Sequence, residues 1–184
     1  MALTRLGPNN STNISGINLT SQVTGTLPAA NGGTGATSFS PGKILQVTYN
    51  RQSTQFSTSA SSYTDTGIVT TALTPASTSN KVLIHFSGNF NMRVATGNFF
   101  ATLYRSIGGS DTQLVGGRGL ISSDGQASLS YVRPHSLVFL DSPNTTSAVT
   151  YKLYAQVEIS GTIHIAYDSG ISHQFLAMEV GAWS

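Results

Sequence analysis

The sequence predicts an all-β fold, a jelly-roll-like antiparallel β-sandwich preceded by an extended N-terminal arm. Three observations predict it. From about Lys43 onward, apolar residues recur with a period of two, as in a strand with one buried face. These runs are short and are divided by Gly-, Pro-, Asn- and Ser-rich turn signals, the pattern of a sandwich or barrel. No segment has the apolar spacing of a helix. About nine or ten runs exceed the usual seven to nine of an immunoglobulin-type sandwich and favour a jelly-roll arrangement.

Taken in order, residues 1 to 22 carry Leu3, Leu6, Ile14, Ile17 and Leu19 at wide spacing, with Arg5 as their only charge. Such spacing suits neither an amphipathic helix nor an independent core, and a solvated tail usually carries more charge. The segment therefore reads as an extended arm ordered by contact with neighbouring chains, its isolated Leu and Ile side chains acting as pegs. Residues 23 to 37 form a connector. Pro28 fixes its own φ and extends Leu27; Asn31, Gly32, Gly33 and Gly35 then tolerate positive φ and allow a sharp turn. The expected domains are residues 1–42, arm and connector, and residues 43–184, a β head.

Within the head, residues 44–49 and 54–57 read as a first hairpin, followed by a strand through 68–73. The clearest strand runs from Lys81 to Met92, with Val82, Ile84, Phe86, Gly88 and Phe90 on one face. Further strands are expected at 99–105, 113–122 (broken by glycines), 127–132, 136–141, 149–159, 162–167 and 174–183. Gly108-Gly109-Ser110-Asp111 reads as a turn, and Ser123-Asp124-Gly125 as a hairpin turn. In 149–159, Tyr151, Leu153, Ala155, Val157 and Ile159 form the apolar face. The last strand is apolar on both: Phe175, Ala177 and Trp183 on one, Leu176, Met178, Val180 and Ala182 on the other. A strand buried on both faces is either central or pressed against another subunit.

Composition narrows the function. The 184 residues include nine Lys and Arg and seven Asp and Glu, 9% charged in all, against a norm near 25%. A surface hydrated by hydroxyls and amides opposes association weakly, which suits a protein that works in an assembly. The basic residues form no run, so nucleic acid is not an expected partner. No apolar stretch approaches the roughly 20 residues of a membrane span, and residues 1–6 lack a signal peptide's apolar region. With no cysteine, disulfides and thiolate chemistry are excluded.

Catalysis is not expected. Most carboxylates lie in turn contexts. Glu158 and Glu179 are the only two placed in strands, and nothing in the sequence brings them to the separation a glycosidase needs. His85, His135, His164 and His173 are dispersed and do not form a ligand cluster, although His164 and His173 could approach across a hairpin. Gly116-Gly117-Arg118-Gly119 lacks the Lys-Ser/Thr of a phosphate loop. No cofactor or metal is expected. Tyr104, Tyr131, Tyr154 and Tyr167 could line a sugar-stacking surface, though packing in the core or an interface accounts for them better.

The connector also carries a resemblance. Gly25-Thr26-Leu27-Pro28-Ala29-Ala30-Asn31-Gly32-Gly33-Thr34-Gly35 resembles a motif common in tail fibres and related virion proteins of tailed bacteriophages. Phe139-Leu140-Asp141-Ser142-Pro143 and Leu176-Ala177-Met178-Glu179 are similar to strings in small β domains that follow this connector in marine and freshwater phages. The resemblance implies a virion protein assembled in the host cytoplasm, with a trimeric head whose subunits meet along one sheet. It would place Phe175, Leu176, Met178, Val180 and Trp183 at the subunit interface and the arm on other virion proteins. Two jobs fit, a short tail fibre or attachment protein contacting a host surface glycan, or a capsid decoration (cement) protein. A carbohydrate-binding module or glycan-processing enzyme is the remote alternative.

Overall fold

The computed structural model describes residues 44–93, 97–124, 131–159, 161–166 and 172–181. The arm residues Leu3, Leu6, Ile14, Ile17 and Leu19, the connector residues Pro28, Asn31, Gly32, Gly33 and Gly35, Trp183, Tyr167 and the boundary at residue 42 lie outside them. All regular structure among the described residues is strand: β1 Ile44–Gln52, β2 Phe56–Thr58, β3 Thr64–Val69, β4 Lys81–Arg93, β5 Asn98–Ile107, β6 Ser110–Gln113, β7 Ile121–Asp124, β8 Tyr131–Asp141, β9 Val149–Val157, β10 Thr162–Ile165 and β11 His173–Val180.

Every pairing is antiparallel. In the first sheet β1 pairs β11, β11 pairs the first half of β4, and β8 runs along the other side of β4. β10 continues the line of β11 along the second half of β4, with β2 outside it. In the second sheet the order is β3–β9–β5, with β6 and β7 sharing the far side of β5. If β1 with β2, β10 with β11, and β6 with β7 each count as one line, both sheets are four lines wide. The chain alternates between them as a jelly roll does.

Several local expectations are corrected. β1 and β2 do not form a hairpin; they are successive pieces of one line, paired to β11 and β10. Ser53-Thr54-Gln55 between them holds no Gly or Asn to reverse the chain. Residues 113–122 are not one strand: β6 ends at Gln113 and β7 starts at Ile121, and the loop between turns at Gly117 and Gly119 with φ of 64° and 73°. Ser123 and Asp124 belong to β7 rather than to a turn. β8 starts at Tyr131 and runs through Pro134, which an edge strand tolerates because its outer side needs no ladder bond. Ile159 leaves the apolar face of β9 and is exposed beyond the strand's end.

The core lies between the sheets. Phe86 contacts Phe175 edge-on at 5.5 Å, and Phe90 contacts Phe99 in the same way at 5.5 Å, so ring packing joins β4 to both sheets. Gly88 sits among these rings because nothing larger fits. A Cβ there would lie 2.6 Å from Phe86 Cζ and 2.9 Å from His173 Cβ. Polar groups inside are mostly matched. Arg105 Nη1 on β5 donates to Asp141 Oδ1 on β8 at 3.0 Å, and Tyr151 Oη donates to Asp141 Oδ2 at 2.9 Å, tying one sheet to the other. Burial, then the charge and hydrogen bond of Asp141, push the Tyr151 hydroxyl far above its ordinary value.

Candidate interaction surface

The two sheets differ in what covers their outer faces. On the second sheet, Phe100 faces outward opposite Gln156, yet it is buried beneath the Arg118 guanidinium, 5.3 Å from the ring centre. Arg118 is held in turn by Glu158 at 2.9 Å. The rings of Tyr104 and Tyr154 stack with centroids 3.7 Å apart, and Lys152 bridges Asp65 and Asp111 at 3.3 and 2.8 Å. Hydrogen bonds from Lys152, Ser106 and Tyr154 hold the Asp111 carboxyl down at about 2. Burial, then neighbouring Tyr104, push the Tyr63 hydroxyl up to about 12, so it remains a donor to Gly117 O at 3.1 Å. The chain thus covers this face with its own loop and a charged network.

Among the described residues the outer face of the first sheet has no such cover over β1, β11, the first half of β4 and the second half of β8. Register places Val47, Met178, Leu83 and Leu140 in one row across all four strands. The next row is Tyr49, Leu176, His85 and Val138. At the rim strands Val47 is 52%, Tyr49 51%, Leu140 49% and Val138 63% exposed. Leu83, Leu176 and Met178 are half-buried only because neighbouring strands flank them. Ile44 lies opposite Val180 beside a bulge at Leu45, extending the patch by one more row. Lys81 and Arg51 mark its ends, and no described carboxylate faces outward on it. Its exposed apolar area makes this face the candidate interaction surface.

The β1 side edge of this face is closed to strand addition. Along β1, Asn50 Nδ2 donates to Val69 O at 2.9 Å and Val69 N–H to Gln52 Oε1 at 3.1 Å. Thr71 Oγ1 donates to Tyr49 O at 3.3 Å, and Gln46 Nε2 to Thr74 O at 2.6 Å. Along β8, Pro134 and the exposed Arg133 blunt the rim only where the strand pairs with the second half of β4, outside the two rows. The apolar rows of the face itself remain open.

The expected interface residues divide accordingly. Leu176, Met178 and Val180 lie on the open face. Phe175 does not: it is 0% exposed and packs on Phe86 between the sheets, because alternate residues of β11 point inward. Sequence reasoning missed Val47, Tyr49, Leu83, Val138 and Leu140; alternation in β4 set Leu83 opposite the face of Val82, Ile84 and Phe86, but did not say which face lay outward. Glu179, considered as a catalytic acid, is also inward and fully buried. It accepts from Gln46 Nε2 at 2.5 Å, Asn80 Nδ2 at 2.6 Å and Ala76 N–H at 2.7 Å. Burial pushes its pKa up, but those three bonds together outweigh burial and hold the carboxyl below its usual value. Glu158 stands beyond β9 in the other sheet, shares no partner with Glu179, and bonds Arg118 and Asn98. His164 and His173 do not face each other across a hairpin; both β10 and β11 pair with β4 in succession. Among the described residues no three His, Asp or Glu side chains gather as a metal site.

No family model matches the sequence, and no curated protein matches it either. Among solved structures the chain is similar to the VP2 subviral particle of infectious bursal disease virus, at 15% identity and a TM-score of 0.41, over 75% of this chain and 34% of that one. It is also similar to the structure of infectious bursal disease virus strain Gx, at 12% identity and a TM-score of 0.32, over 86% of this chain and 43% of that one. The chain therefore spans less than half the length of these structures. The jelly-roll assignment rests on the strand order.

Proposed function

We propose that this chain is a structural component of a virus particle that works by packing against other protein surfaces and not by catalysis. One observation carries the reading. The described residues cover the outer face of the second sheet with a loop and charges, and leave two apolar rows of the first sheet open to solvent. Leaving those rows in water forgoes about 25 cal/mol for each Å² of apolar surface, so the arrangement suits a chain that spends its life assembled. The jelly-roll order is common in capsid proteins, lectins and cupins alike, and the connector resemblance is what favours a virion among these.

Within that reading the first choice is an arm-anchored trimeric short tail fibre or attachment protein of a tailed phage. The open apolar face favours keeping capsid decoration as the second reading, since packing on a shell requires such a face. A host glycan is the least supported partner, because Tyr104 and Tyr154 each have one ring face taken by the other. The glycosidase alternative meets Glu158 and Glu179 in different sheets, each held by unrelated partners. Mass spectrometry and density maps of particles made from the encoding genome test the proposal. The protein is expected in stoichiometric amounts at one site of the particle. Its absence from washed particles, or release of reducing sugars from host polysaccharide by the purified chain, would overturn it.

A further inference from the structure

The open half of the first sheet can be assigned an occupant. We propose that it packs face to face against the same face of another copy of this chain, with the rows Val47–Met178–Leu83–Leu140 and Tyr49–Leu176–His85–Val138 at the centre. The proposal rests on the assembly reading above and names the partner for the same surface. Being two-fold, this contact joins copies in pairs and is separate from the contact that would close a trimer.

Size supports it first. The eight residues of β11 at about 3.3 Å each, across four strands about 4.8 Å apart, give a footprint of about 500 Å². A partner of equal extent brings the total to about 1,000 Å², where specific protein contacts begin. A smaller ligand or a single peptide strand would leave most of the two rows in water. Charge supports it second. Lys81 and Arg51 stand at opposite ends and the middle carries only His85, so the face offers no field for an acidic or basic partner. A face without central charge can meet itself with no like-charge pair in its dry centre, which is the requirement for an isologous contact. The β1 edge supports it third. With β1 bonded to residues 69–74, copies cannot join by extending the sheet beyond β1. Polar Ser87, Ser136 and Gln174 beyond the second row then form a hydrated rim around an apolar centre.

The absence of cysteine from the sequence makes a clean test possible. Val138→Cys puts a lone thiol on the face, and Ile159→Cys puts one on an exposed residue outside it. Alkylation rates of both full-length variants are measured across a hundredfold range of concentration, with the mass in solution read by light scattering at each point. The expected result is that the Val138→Cys thiol is protected at least tenfold whenever the mass is a multiple of the chain, while Ile159→Cys reacts fast throughout. A Val138→Cys thiol as reactive as Ile159→Cys in a multimer would overturn the proposal, because copies would then meet elsewhere. Protection in a monomer would overturn it too, by showing that the chain's own residues 1–43 or another part of it covers the face. Neither of these results would touch the particle experiment, which stands or falls on where the protein is found.

Discussion

Asp141 on β8 and Arg105 on β5 join the two sheets through an ion pair of 3.0 Å, and Tyr151 donates to the same carboxylate. The Asp141 side chain is nearly inaccessible and that of Arg105 is mostly so. Removing one partner strands the other's charge in a dry place. Asp141→Ala should therefore cost about 3–5 kcal/mol in urea unfolding. The double change Arg105→Met with Asp141→Leu should recover most of that loss, since replacing a buried pair with apolar groups is often neutral. Equal destabilisation by the single and double variants would mean that packing, not charge, matters at this point.

Gly88 is the tightest place in the inner face of β4. An added methyl would press on Phe86 and His173 Cβ, within 2.9 Å of each. Gly88→Ala should cost about 1–3 kcal/mol, the usual range for overpacking, with no change in the oligomer. A melting temperature equal to wild type would show that the rings beside it can shift.

Stability should fall as the solution is acidified from pH 7 towards 5. His173 is buried with neither ring nitrogen hydrogen-bonded, and the buried Nε2 of His135 is likewise without a partner. Their rings lie against Phe86 and Phe90. Burial lowers the pKa of both, and for His135 the charge of Arg133 adds to the effect. The unfolded chain thus binds protons that the folded chain refuses. Stability is complete above the unfolded value of about 6.5 and is lost as pH falls through the folded values. Asp111 and Glu179 titrate below the ordinary carboxylate range, so they do not account for a loss that begins near pH 6.5. In His173→Leu the melting temperature should vary less with pH than in wild type; an unchanged profile would remove His173 from the explanation.

Glu179→Gln is expected to destabilise by about 1–3 kcal/mol, because an amide nitrogen cannot accept the bonds now made by Gln46, Asn80 or Ala76. Glu158→Gln, at a solvated ion pair with Arg118, should change stability by less than about 1 kcal/mol. Urea unfolding of both variants measures the difference. Similar effects would mean that the buried carboxylate is not what anchors residues 76–80 to β11.

Much of the fold was legible because period two carries over directly into sheet faces. Val82, Ile84, Phe86 and Phe90 of β4, and Tyr151, Leu153, Ala155 and Val157 of β9, are all buried as that period requires. Pairing was less legible. Residues 44–57 looked like a hairpin by proximity in sequence, yet each half finds its partner more than a hundred residues away, and no local signal encodes that. The surface was partly legible. Two apolar faces on β11 left open whether the strand is central or pressed against another subunit; Phe175 and Met178 are equally apolar, and only the second sheet decides which points inward. Val138 and Leu140 were hidden for a different reason. Edge strand β8 alternates them with the half-buried Phe139 and the buried Leu137 and Asp141, so the run 137–141 shows no clean apolar and polar faces.

The most direct test of the account is the mass of the full-length chain in solution, compared with that of Tyr49→Glu combined with Val138→Asp. Both positions are about half or more exposed at the rims of the open face, so the carboxylates are solvated in a monomer and the fold should be retained. Buried against another copy they would cost several kcal/mol. Sedimentation at micromolar concentration should give a multimer for the wild type and a single chain, with an unchanged circular dichroism spectrum, for the double variant. A wild-type monomer, or a double variant that assembles as the wild type does, would contradict the account.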